Sequence, residues 1–205
     1  MSRRIFYLFG LFAPFLLLIT VILGGALRPG YSHISETVSE LFSPGSPNRL
    51  LLTVLHTTFA LFLTLFGVGL VRFVQNTGRF KTIGITASLD FILVGILNIL
   101  TATVFPQDAW GSTPTFYGEM HIIISGVLSV LSILYMILFG IWFNRTRIAT
   151  FFLTYSIATV IGVVLTAGWF MAGYGSPIMG ISERITILSG FQWTVLLAVI
   201  VLKND

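Results

Sequence analysis

Residues 79–108 read RFKTIGITASLDFILVGILNILTATVFPQD, and this stretch decides the fold. Arg79 and Lys81 open it and Phe105-Pro106 closes it. Between them an apolar run over residues 82–105 is broken by a single carboxylate, Asp90. A helix needs about 20 mostly apolar residues to cross the hydrocarbon core of a bilayer. The run has that length, a cationic start, and a proline that stops the helix at its far end.

Five more runs of the same kind lie on either side, near residues 5–27, 49–73, 116–143, 149–173 and 180–202. The expectation is therefore an all-α, polytopic membrane helical bundle of six transmembrane helices, a single domain over residues 1–205. Composition agrees: 56% of the 205 residues are hydrophobic and only 9% are charged. A mean hydropathy of +0.98 lies well outside the range of water-soluble domains. The first run is longer than the apolar core of a secretory signal, so it reads as a span.

A pI near 9.8 would fit a nucleic-acid partner, but the 11 basic residues are placed by topology instead. Arg3, Arg4, Arg72, Arg79, Lys81, Arg145, Arg147 and Lys203 fall on one side of the spans, while Arg28, Arg49 and Arg184 fall on the other. The positive-inside rule then puts both the N-terminus and the C-terminus in the cytoplasm of a multi-pass protein of the cell membrane. Glu36, Glu40, Asp108, Glu119 and Glu183 gather on the outer side. With no cysteine, disulfides, thiolate metal ligands and dithiol redox chemistry are excluded.

The first outer loop, residues 28–48, carries Ile34, Val38, Leu41 and Phe42 at helical spacing, with His33, Glu36, Thr37 and Glu40 between them. This pattern predicts a short interfacial amphipathic helix. Ser46-Pro47 reads as the N-cap and first position of the second span.

Few residue types in such a chain carry chemistry. Asp90 lies about 12 Å inside the third span, by the rise of a helix. A carboxylate at that depth costs about 2.5–3.5 kcal/mol on insertion scales and faces the bundle interior. Ser129, Ser132, Thr159 and Gln192 come to a similar depth, which makes a hydrogen-bonded cluster around Asp90 one expectation. A neutral carboxyl tying helices together and a proton or cation relay both fit it. In the fourth span His121, Ser125, Ser129 and Ser132 follow one another at spacings that share a helical face. Helix packing accounts for the serines, and so does the lining of a cavity.

His56 and Asn98 reach a similar depth below the outer surface, with His121 slightly shallower. Two imidazoles at one level are candidate ligands for a metal or a b-type haem, and a zinc hydrolase site would draw His33 inward as a third. Glu183 and Arg184 open the sixth span. Glu183 is expected to meet Arg28 or Arg49, and Arg184 to meet Asp108 or Glu119, or to bind an anionic headgroup through its planar fork. The glycine loops, nucleophile elbows and paired-histidine helices of familiar enzymes are absent.

Ile34-Ser35-Glu36, Ser39-Glu40-Leu41, Pro44 to Asn48, Phe105-Pro106-Gln107-Asp108, Gly118 to His121 and Gly180-x-x-Glu183-Arg184 resemble, in order and spacing, the domain-of-unknown-function 998 family. The resemblance implies a six-span bundle of prokaryotic membranes and no established reaction. It marks Pro106, Asp108, His121, Glu183 and Arg184, and not His56. His121 with Ser125, together with Asp90, is also similar to the intramembrane zinc hydrolases related to alkaline ceramidases. Those proteins have seven spans and a paired-histidine motif in the last, which this chain lacks.

The reading that follows is a protein that binds or translocates a small amphiphile or lipid in an outer-facing polar pocket. His56, Asn98, His121, Ser125, Asp108, Glu119, Glu183 and Arg184 would line it, with Asp90, Ser129, Ser132 and Gln192 forming a polar cluster below. A zinc hydrolase using His56 and His121 and a purely structural, partner-binding bundle are the alternatives.

Overall fold

A computed structural model describes residues 3–205. The fold is all-α: α1 spans Arg3–Leu27, α2 Arg49–Thr77, α3 Lys81–Thr103, α4 Phe116–Thr146, α5 Phe151–Ala172 and α6 Met179–Asn204. All six helices are long and apolar enough to cross a membrane. Their ends fall within a few residues of the expected spans, α2, α4 and α6 running past them and α5 stopping just short.

Short connections make chain neighbours pack antiparallel. Each helix packs against the next in sequence, and α6 returns to α1, so the bundle closes as a ring in chain order. The chain ends meet at one end of the ring, where the Tyr7 hydroxyl donates to Asp205 Oδ1 at 3.0 Å. At this termini end the ring is filled by large side chains: Phe66, Phe91, Phe139, Trp142, Phe143, Phe152 and Trp193 are fully buried. The two indoles are satisfied, Trp142 Nε1 donating to Arg79 O at 3.2 Å and Trp193 Nε1 to Ser156 Oγ at 2.9 Å. Lipid supplies no hydrophobic force between spans, so close packing has to hold them together. Gly10 and Gly67 allow it: a Cβ on either would stand 2.6 Å from Phe66 or Ile92.

The opposite, loop end is packed differently. From Ile122 to Leu134 α4 exposes most of its apolar side chains, as does the second half of α5, and the ring is capped there by residues 28–48.

That capping loop departs from expectation. The interfacial amphipathic helix is not formed; only Ser39–Phe42 makes a single 3₁₀ turn. Val38, Leu41 and Phe42 point down into a small cluster with Leu52, and the supposed polar face is buried too, through Thr37 and Glu40. Side-chain bonds to nearby backbone explain why a helix loses here. Glu36 Oε1 accepts the Ser32 N–H at 3.0 Å, and Glu40 Oε2 accepts the Thr37 N–H at 2.8 Å. Nor do Ser46-Pro47 start α2. Asn48, in the left-handed conformation at φ 57°, precedes it.

Candidate functional site

Below the loop lies a cavity of about 140 Å³ with walls of opposite character. His56, Asn98, Thr101, His121, Ser125 and Glu183 supply polar groups, and Leu17, Val38, Phe42, Ala102, Leu128 and Ile187 supply the apolar remainder. Five of the residues singled out from sequence, carried on four different helices, thus meet in one place.

His121 is positioned from the start of α4. The Thr115 hydroxyl caps that helix by accepting the Gly118 N–H at 3.2 Å, and Asp108 Oδ2 holds Thr115 through its N–H at 2.7 Å. Gly118 leaves room for this brace, since a side chain there would overlap the Asp108 carboxylate. One turn later His121 is buried, with Nδ1 2.8 Å from Phe105 O at the exit of α3. If Nδ1 carries the proton for that bond, Nε2 keeps its lone pair.

His56 reaches the cavity from α2, its ring edge-on to Phe42 and Phe59 at centroid distances of 4.9 and 5.3 Å. Its Nδ1 is buried and has no hydrogen-bond partner. Asn98 turns its amide back to Val94 O at 2.9 Å. Glu183 accepts the Val38 N–H at 2.5 Å and so ties the loop to α6 from inside the cavity.

Arg184 points the other way, up into the loop. It donates to Glu36 O at 2.7 Å, to Gly180 O at 2.8 Å and to the Tyr31 hydroxyl at 2.5 Å. A backbone bond from Ile181 N to Ile34 O at 3.0 Å completes this latch. The expected pairings of Glu183 with Arg28 or Arg49, and of Arg184 with Asp108 or Glu119, are not made. Arg28 instead pairs with Glu36 at 3.0 Å, Asp108 is occupied as the α4 brace, and Glu119 lies exposed on the outside of α4. Arg184 is instead held by one carbonyl of its own helix, one loop carbonyl and the Tyr31 hydroxyl.

Burial shapes the titration of the capping loop. It pushes the Tyr31 phenol up to about 12, against the pull of Arg184, and it raises Glu40 above the ordinary carboxylate range. It also lowers His33, helped by Arg184. His33 packs against Tyr31 and Gly25, apart from the other histidines, so three histidines do not converge. Among the described residues no set of three His, Cys, Asp or Glu side chains could hold a metal ion. The residues therefore do not fit the zinc hydrolase arrangement. Haem does not fit either: pockets for drug-sized ligands start at about 300 Å³, and a porphyrin needs more.

The deeper polar residues do not form one cluster. Gln192 Nε2 bonds Thr159 Oγ1 at 3.2 Å on the α5–α6 side, and Ser129 is exposed with its hydroxyl on Ser125 O. Asp90 is 8% exposed, and neither carboxylate oxygen has a hydrogen-bond partner. A larger groove of about 540 Å³ opens between this loop and the α3–α4 and α5–α6 connections, lined by Arg28, Glu36, Glu40, Trp110 and Pro177, but it lacks the two histidines and Glu183.

Sequence reasoning missed Tyr31, which takes Arg184 and donates to Thr37 O at 2.7 Å, and the Phe105 carbonyl that orients His121. No periodic signal could have found either, because both act across the fold. Tyr135 was within reach: continuing the α4 pattern from His121 through Ser125 and Ser132 by steps of three and four arrives at it.

Comparison with curated proteins and with solved structures gave no significant match. The model of the family described as "Protein of unknown function (DUF998)" does match, over residues 11–200, and the chain belongs to that family.

Proposed function

We propose that this membrane protein binds, and passes on, a small amphiphile or lipid whose polar head enters the loop-end cavity. One observation carries the reading: a cavity with an apolar wall from Leu17, Leu128 and Ile187 faces His56, Asn98, His121 and Glu183, and His56 Nδ1 is buried there without a partner. A buried polar atom left unpaired costs about 1–3 kcal/mol, and a ligand hydroxyl or a water would recover it. At about 140 Å³ the space suits a headgroup rather than a whole lipid, so the tail would lie along the exposed apolar surfaces of α4 and α5.

The charge asymmetry supports an orientation with the termini end in the cytoplasm and the cavity near the outer face of the cell membrane. Under this reading the loop is the cover of the site, and Glu183 and Arg184 hold it shut.

The test is native mass spectrometry of protein released from mild detergent, comparing wild type with Ala102→Trp, which fills the cavity from α3. Wild type should carry a co-purifying amphiphile that Ala102→Trp loses while keeping its helical content. Equal occupancy in both would overturn the reading. A wild-type protein that stays empty when titrated with membrane lipids would favour a structural, partner-binding bundle.

A further inference from the structure

We propose that Asp90 is a proton-binding site at mid-depth in the bundle, reached from the loop-end cavity along the seam between α3 and α4. This inference stands whether or not the cavity takes an amphiphile. Asp90 is buried on α3, and both carboxylate oxygens lack a hydrogen-bond partner. An ionised carboxylate in that state is strongly disfavoured.

The helices packed against α3 are α2 and α4. On α4, Tyr135 packs its ring against Phe91, the residue next to Asp90, at a centroid distance of 4.8 Å. On α2, the ionisable side chains lie elsewhere: Arg49 donates to Phe42 O in the loop at 3.0 Å, His56 lines the cavity, and Arg72 lies over the Phe6 ring at 4.4 Å. Lys81 is at the start of α3, about 13 Å away along the helix axis. Among the described residues the one ion pair is Arg28 with Glu36. No cation is therefore placed to hold Asp90 charged, and a proton is the simplest group to neutralise it. A sodium or calcium ion would require several more oxygen ligands around it.

The route is built into α4. His121, Ser125, Leu128, Ser132 and Tyr135 recur at alternating steps of four and three, which keeps them within about 40° of one line down the helix. Ser125 and Leu128 line the cavity at the top, and Tyr135 at the lower end packs on Phe91, the chain neighbour of Asp90. On the facing helix Asp90, Val94 and Thr101 follow the same rule, Thr101 again lining the cavity. Ser129, off this line, is the serine that points outward.

Infrared spectroscopy of protein in lipid nanodiscs, labelled with aspartate carrying carbon-13 in its carboxyl, tests this. The chain has three aspartates, Asp90, Asp108 and Asp205, so Asp108→Asn and Asp205→Asn assign the remaining band even if Asp90→Asn folds poorly. The expected result is a protonated-carboxyl stretch at neutral pH that shifts in heavy water and declines as pH is raised. No such band, or one indifferent to both pH and heavy water, would overturn the site. Tyr135→Phe with Ser132→Ala should keep the band but slow its exchange with heavy water at least tenfold. An unchanged exchange rate would overturn the route.

Discussion

Removing the Arg184 guanidinium should release the loop that covers the cavity while leaving the helices in place. In Arg184→Ala two bonds between α6 and the loop are lost, those to Glu36 O and to the Tyr31 hydroxyl; the third, to Gly180 O, stays within α6. Hydrogen bonds to charged groups are worth about 1.5–3 kcal/mol net. Taking the low end twice gives about 3 kcal/mol for loop closure. At 1.4 kcal/mol per factor of ten, the open population rises about 100-fold. Hydrogen–deuterium exchange reads this directly when the loop opens and recloses faster than the amides exchange. The reporters are the Val38 N–H, now held by Glu183, and the Ile181 N–H, bonded to Ile34 O. Both should exchange about 100-fold faster, with amides in the middle of α2 unchanged. Arg145→Ala, which removes only a contact over the Phe80 ring at 5.9 Å, should leave the loop as it is. A change of less than threefold at Val38 in Arg184→Ala would refute the latch.

Other outcomes follow from the same geometry. Gly180→Ala should loosen the loop by the same readout, because its Cβ would collide with Glu36 O, and such overpacking costs about 1–3 kcal/mol. Glu40 is raised by burial, so its contribution to loop stability is full below its ordinary value of 4.5 and is lost as pH climbs through the raised value. Loop exchange, corrected for its intrinsic pH dependence, should therefore rise over that window in wild type and stay flat in Glu40→Gln. Since the chain has no cysteine, single cysteines report orientation. Ser112→Cys should react with an impermeant maleimide on intact cells and Asn204→Cys only after lysis, and the reverse pattern would invert the proposed topology.

The number and place of the helices, and the similar depth of His56, Asn98 and His121, were legible in the sequence. Span length and helical rise are one-dimensional quantities: a run of about 20 apolar residues sets a span, and counting from its end sets depth. Azimuth is not one-dimensional, and this is where the tertiary structure decided. Gln192 turned to Thr159 and Ser129 turned outward, so Asp90 was left without a hydrogen-bond partner. The capping loop is the clearest case. Its hydrophobic spacing is helical, yet Glu36 and Glu40 bond back to their own backbone, and Arg184, nearly 150 residues away in sequence, claims the Glu36 carbonyl. Local pattern determines which residues enter the membrane. Which of their polar groups find partners depends on contacts between helices distant in sequence, and those exist only once the ring has closed.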